Sequence, residues 1–237
     1  MNTPRSPLLH VASSPTQPHS AARIAVIAGS TGLVGGCLLT RLIATRDYPR
    51  LVLPTRRAPS LQDPRIELRA ARFDALDEVL SDVHGPALDV YCCLGTTLRK
   101  AGSQAAFRAV DFDAVVALAR WAKRAGARRF LLVSAMGANA RSRVFYNRVK
   151  GEAEDAVRRE GPASVVILQP GLLDGERGEV RPAERIGLAL TRPIRALLPA
   201  SLRPIRAEDV AATMIDAALA ERPPAVIASA AMHGMAR

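Results

Sequence analysis

From Arg23 onward the chain alternates short, nearly continuous apolar runs with longer stretches in which apolar residues return every three or four positions. A continuous run suits a strand covered on both faces, and the longer period suits a helix laid across a sheet. The pattern predicts strands over 23–28, 51–55, 66–70, 89–94, 129–134 and 164–169, with a short last one over 225–228. Helices are predicted over 33–45, 75–81, 105–125, 146–160 and 208–221. Such alternation winds a parallel sheet with helices on both faces, so the predicted class is α/β, a doubly wound parallel sheet. Residues 171–206 interrupt the rhythm with Gly, Pro and Arg clusters before a helical period over 186–198, and are read as a small helical lobe inserted late. Residues 1–21 have no period, are rich in Pro, Ser, Thr and His, and carry one arginine and no acid. They read as a disordered leader ahead of one domain over 22–237. The leader's apolar run is too short for a secretory signal, and no stretch of about 18 apolar residues offers a spanning helix.

At 237 residues and 49% hydrophobic, the chain buries an ample core without disulfides or structural metal. The three cysteines fit that view, because Cys37, Cys92 and Cys93 have neither C-x-x-C nor C-x-x-H spacing. A reducing cytosol is the expected compartment, and no metal site is expected. The net charge of +11 invites a nucleic-acid partner. Lys100, Lys123 and Lys150 are the only lysines, however, and the arginines are spread over nearly the whole chain among many alanines. That bias resembles compositional pressure more than a polyanion site, and 4% aromatic residues leave little for base stacking, so nucleic acid is disfavoured.

The candidate chemistry begins after the first strand, where Gly29-Ser30-Thr31-Gly32-Leu33-Val34-Gly35 opens a helix. Glycines are needed where a chain turns sharply, where backbone approaches a pyrophosphate and where helix packs on strand. The helix N-terminus then offers free N–H groups to phosphate oxygens. A tight turn with no ligand would carry the same glycines. About twenty residues on, where the adenosine ribose of a dinucleotide would lie, stand Arg56 and Arg57 and no carboxylate. Arginines there suit a 2′-phosphate, which favours NADP(H) over NAD(H), although two solvated arginines would look alike. Asp74 would receive an adenine amino group or cap a helix. At the fourth strand's end, Leu94, Gly95 and Thr96 are small enough for a ribose and nicotinamide to lie against the backbone, or form a simple turn.

Ser134 ends the fifth predicted strand, and Tyr146 and Lys150 follow on one face of the next helix at i and i+4. A cation near a phenol lowers its pKa from about 10, making it a usable acid or base in carbonyl reduction. The serine hydroxyl would steady a developing alkoxide. Packing aromatic, solvated cation and strand-end cap are the plain alternatives. A chain that writes arginine at almost every basic position has lysine at 150, where a compact charge is required.

The order G-S-T-G-L-V-G, T-R-R, C-L-G-T-T, L-L-V-S, Y-N-R-V-K-G-E and L-Q-P-G resembles the short-chain dehydrogenase/reductase superfamily in its atypical branch. Within it, the chain is similar to the Tat-interacting-protein family of NADPH-binding, oxidoreductase-like proteins and its bacterial relatives. The likeness covers about residues 23–221 and includes C-L-G-T-T-x-x-K-A-G at Cys93–Gly102. It implies a Rossmann domain binding NADP(H), a catalytic set of Ser134, Tyr146 and Lys150, and Pro170 and Gly171 on the nicotinamide side. Members with regulatory roles also occur, so an NADP(H)-sensing or scaffold protein is the alternative to an oxidoreductase acting on a small carbonyl or alcohol. The chain departs from the family pattern at Ala135 and Met136. Leu172, Leu173, Arg177 and Arg181 are the candidate substrate contacts, and the expected assembly is a monomer or homodimer.

Overall fold

The protein is described here by a computed structural model covering residues 22–174 and 203–236. The leader, the 186–198 helix, Arg177 and Arg181 lie outside the described residues. Among the described residues are nine strands: β1 (Ile24–Ala28), β2 (Arg50–Thr55), β3 (Ile66–Ala70), β4 (Leu88–Cys92), β5 (Arg129–Val133), β6 (Val165–Gln169), β7 (Leu173–Asp174), β8 (Ile205–Arg206) and β9 (Val226–Ala228). Seven of them form one sheet in the order β3-β2-β1-β4-β5-β6-β9, every pair parallel. The α/β expectation therefore holds. β7 and β8 pair with each other, parallel, on either side of residues 175–202.

The chain winds from β1 outward to β3 and then crosses back to place β4 on the other side of β1. Strand order reverses between β1 and β4, and the crevice beyond their carboxyl ends is where a doubly wound sheet takes a ligand. One face of the sheet packs against α1 (Leu33–Thr45) and α7 (Ala207–Leu219) through Leu38, Leu42, Val210 and Met214. The other meets α2 (Leu76–Val79), α5 (Ala114–Arg124) and α6 (Phe145–Glu160) through Leu76, Leu118, Trp121 and Val157. No helix among the described residues is long and apolar enough to cross a membrane.

The predicted helix over 105–125 is broken. It begins as α4 (Gln104–Arg108), passes through a π-helical turn at Ala109–Asp113 and resumes as α5. A π turn carries one more residue per hydrogen-bonded ring than an α turn, and such insertions favour functional sites. Apolar spacing could not reveal it, because Phe107, Asp111 and Val115 are all buried at four-residue intervals that an α-helix also satisfies. Two short helices were also absent from the sequence reading, α3 (Leu98–Ala101) and α8 (Ser229–Met232).

Several arginines are structural. Arg129, 5% exposed, donates through Nη1 to the carbonyls of Ala217, Ala218 and Ala220 at 2.6–2.8 Å, closing the C-terminal end of α7. Arg65 does the same for α1 at Ile43 O, 2.6 Å, and Arg128 pairs with the fully buried Asp89. Cations at helix C-termini satisfy orphan carbonyls and oppose the negative end of the dipole. Part of the basic excess is thus spent inside the fold.

Candidate functional site

Gly29 follows β1 with φ +84, a conformation that side-chained residues rarely adopt, and a Cβ there would sit 2.5 Å from Cys93 O. The ends of β1 and β4 are therefore in backbone contact. Gly32 N donates to Gly29 O at 2.9 Å, which closes the turn, and Gly32 stands at the N-cap of α1 with no side-chain cap. No acid lies in the first turn of α1. Its N-terminal amides are left for an anion. A Cβ on Gly35 would overlap Gly29 O, so the third glycine is fixed by helix-on-strand approach. Ser30 is buried, and its Oγ has no hydrogen-bond partner in the protein. A buried hydroxyl without a protein partner beside a helix N-terminus fits a phosphate oxygen as its acceptor.

Gly35 and Gly36 offer a matched test. A Cβ on Gly36 would lie 3.8 Å from Ser30 O, an ordinary contact. Gly36→Ala is expected to keep dinucleotide binding and to raise stability by about 0.5–1 kcal/mol, as glycine-to-alanine changes do inside helices. Gly35→Ala is expected to lower the melting temperature and weaken dinucleotide binding by at least about tenfold, since the turn must open to admit the methyl. Thermal unfolding with fluorescence titration measures both.

Beside the turn lies a cleft of about 640 Å³ whose wall includes Gly29, Thr31, Arg56, Arg57, Asp74 and Leu94. Thr55 holds the turn carrying the two arginines, its Oγ1 accepting from Arg57 N at 3.2 Å and donating to Arg57 O at 2.6 Å. Neither Arg56 nor Arg57 is spent on an ion pair with a described residue. Asp74 does not cap a helix, because α2 starts from Ala75 with no side-chain cap. It lines the cleft and lies 3.5 Å from Arg72. Phe73 and Asp113 line the cleft as well, and neither was singled out in the sequence.

The second cluster stands at the end of β4. Lys150, 6% exposed, places Nζ 2.8 Å from Oδ1 of Asp111, which is fully buried. The other oxygen of Asp111 accepts from Thr96 N at 2.8 Å. Gly95 closes the cluster; a Cβ there would lie 3.7 Å from Lys150 Nζ. Burial by itself would drive the lysine toward its neutral form, but the carboxylate of Asp111 and then the phenol of Tyr146 outweigh it and hold the pKa above the ordinary value. Tyr146 is half-buried one helical turn before Lys150, its ring centroid 5.7 Å from that of Phe107. The segment 104–113 thus supplies the packing partner of the tyrosine and the ion-pair partner of the lysine. Asp111 was missed in the sequence; the available signal was a carboxylate on the buried stripe of a helix.

Ser134 is 6% exposed and its Oγ has no partner within the protein. Its backbone continues the sheet, N donating to Leu168 O at 2.8 Å. Pro170 accepts from Met136 N at 2.8 Å, and Gly171 N donates to Ser229 Oγ at 3.0 Å. Pro170 and Gly171 are therefore tied to the loop after β5 and to α8. The thiols offer no competing chemistry. Burial raises Cys37 and Cys93 and pushes Cys92 up to about 12, so none is a ready thiolate. No metal-ligating cluster occurs among the described residues. Leu94, Gly95, Thr96 and the 29–35 turn meet at the reversal of strand order, with the arginine-lined cleft on one side and Lys150 on the other.

A model of the NAD(P)H-binding family matches residues 29–221. Protein FMP52, mitochondrial, of Candida albicans is 34% identical over 198 residues, covering 80% of this chain and 85% of that protein. The protein of the same name from Lodderomyces elongisporus is 35% identical over 162 residues, 65% of this chain and 68% of its own length. Among solved structures, a short-chain dehydrogenase from Streptomyces avermitilis superposes with a TM-score of 0.60 at 19% identity, each chain covered to 88%. The relatives carry the FMP52 name where the motifs resembled the Tat-interacting-protein family. Their names also overturn the cytoplasmic expectation, since both are called mitochondrial. Free cysteines separate reducing from oxidising compartments and cannot separate two reducing ones.

Proposed function

The chain belongs to the NAD(P)H-binding family, and from that membership we propose that it is an NADP(H)-dependent oxidoreductase acting on a small carbonyl or alcohol. The observation that carries the reading is the buried, ion-paired Lys150 one helical turn from Tyr146, beside the crevice that begins at the glycine turn. The cofactor's phosphates would be held by the 29–35 turn and Ser30, its ribose by Lys150, and its nicotinamide side by Pro170 and Gly171. When bound, the nicotinamide supplies or accepts a hydride. The protein's task is the proton and the oxygen. Tyr146 would exchange a proton with the substrate oxygen, and Ser134 Oγ, which has no protein partner, would donate to that same oxygen. Lys150, kept charged by Asp111, would hold the ribose.

The preference for NADP(H) rests on Arg56 and Arg57, which line the cleft without ion-pair partners among the described residues. Charge-assisted hydrogen bonds contribute about 1.5–3 kcal/mol each, so Arg56→Ala and Arg57→Ala are each expected to weaken NADPH binding by at least about tenfold and to leave NADH nearly unchanged. Parallel titrations with the two cofactors check this. Tighter binding of NADH by the wild type would contradict it.

A second reading, cofactor sensing without useful turnover, is favoured by one observation: Asp111 already neutralises the Lys150 ammonium. Cofactor oxidation with a panel of aldehydes, ketones and quinones separates the two readings, because a sensor leaves NADPH unconsumed throughout.

A further inference from the structure

Tyr146 and Lys150 use two positions of the Y-N-R-V-K-G-E string, and the structure gives Asn147, Arg148 and Gly151 a purpose as well. Ser134 and Tyr146 sit at opposite ends of one loop, and a loop of this length has no fixed course unless something holds it. This one is held at many points. Asn139 N donates to the carbonyl of Asn147 at 2.9 Å, Ser142 N to Asn139 O at 2.9 Å, and Arg141 N to Asn139 Oδ1 at 2.8 Å. Arg148 reaches back from α6, its Nη1 donating to Ser142 O at 2.9 Å and Arg143 O at 3.3 Å.

Gly151 is the decisive contact. A Cβ on it would lie 2.5 Å from Asn139 Cα and would overlap Asn139 C and Ala140 N, so the loop crosses α6 with backbone against backbone immediately after Lys150. The obstruction is main chain, which cannot swing aside as a flexible side chain would. A mid-helix glycine is disfavoured relative to alanine. Here it admits the strap.

We propose that Gly151 and Arg148 are positioning residues that strap the 137–143 loop onto α6 and thereby fix Ser134 relative to Tyr146. This rests on the reading of Ser134 and Tyr146 as the groups that meet the substrate oxygen. Neither Gly151 nor Arg148 touches the reacting atoms; both act through the loop.

The test uses the full chain with Gly151→Ala, Arg148→Ala and Arg148→Lys, and Tyr146→Phe as the reference. Three quantities are read: NADPH affinity, kcat and KM for the panel member reduced fastest, and hydrogen exchange of amides 137–143. The strap predicts for Gly151→Ala faster exchange in 137–143, NADPH affinity within about twofold of wild type, and kcat reduced at least about tenfold, because near-attack geometry is lost while cofactor binding is not. Unchanged exchange overturns the strap whatever the activity. Faster exchange with unchanged kcat, beside an inactive Tyr146→Phe, overturns its role while leaving the proposed reaction standing; a fully active Tyr146→Phe overturns the reaction itself and, with it, the strap's role. If Gly151→Ala does not fold, Arg148 decides: Arg148→Ala is expected to loosen the loop and lower kcat by about three- to tenfold, and Arg148→Lys, which still carries a donor, to recover part of both. No change on Arg148→Ala overturns the proposal.

Discussion

Tyr146→Phe is expected to bind NADPH within about twofold of wild type and to lose turnover by at least about 100-fold, the usual scale for removing a positioned acid–base group. The variant keeps what the structure uses for packing. The Tyr146 ring lies against Phe107, which is fully buried, and α6 is anchored by Val149, Ala153 and Val157 behind it. Phenylalanine fills the same space. The substitution therefore isolates the hydroxyl, and stopped-flow or steady-state NADPH oxidation reads the difference directly. Activity equal to wild type would remove Tyr146 from the chemistry.

The second large effect belongs to Asp111. Asp111→Asn keeps the shape and an acceptor, but leaves the buried Lys150 ammonium without its counter-charge. Removing one member of a buried ion pair commonly costs about 3–5 kcal/mol, because the surviving charge remains desolvated. The folded-state pKa of Lys150 is raised in the wild type, so the stability this pair contributes is fully present below the unfolded lysine value and is lost as pH rises through the folded one. Across the neutral range the wild type should show none of that loss. In Asp111→Asn the largest influence opposing burial is removed, so Lys150 should release its proton at a lower pH, and the variant's stability deficit should shrink as rising pH discharges the buried ammonium. Urea unfolding as a function of pH checks both the size and the direction. Asp111→Asn combined with Lys150→Met should recover much of the stability and none of the activity, since a hydrophobic replacement of a buried pair is often neutral while the cation at the ribose is gone. Full activity in the double variant would show that neither group matters for turnover.

Those two residues also mark where the sequence was readable. The sheet could be read because strands covered on both faces must be almost wholly apolar, as Val26, Ile27, Leu131 and Leu132 are. The glycine turn could be read because Gly29 and Gly35 meet backbone, a constraint that only glycine satisfies. Tyr146 and Lys150 share a helix, so their proximity is local. Asp111 stands out only as a carboxylate on a buried helix stripe, and its pairing with Lys150 comes from a separate segment through a π turn, which apolar spacing does not disclose. The same limit hid Gly151, whose partner is a loop backbone twelve residues earlier rather than a neighbour on its own helix. Charge was the most misleading total. A net +11 suggested an exposed basic surface, yet Arg65, Arg128 and Arg129 are occupied with helix carbonyls and with Asp63 and Asp89. What composition contributes is the contrast that makes Lys150 conspicuous.

The most direct test of the account follows the hydride itself. NADPH carrying deuterium at nicotinamide C4 is incubated with the full-length protein and the panel of aldehydes and ketones, and the alcohols formed are weighed by mass spectrometry. Transfer predicts at least one alcohol heavier by one mass unit at its carbinol carbon, absent with Tyr146→Phe. Tight NADPH binding with no deuterium in any alcohol would contradict hydride transfer to a carbonyl.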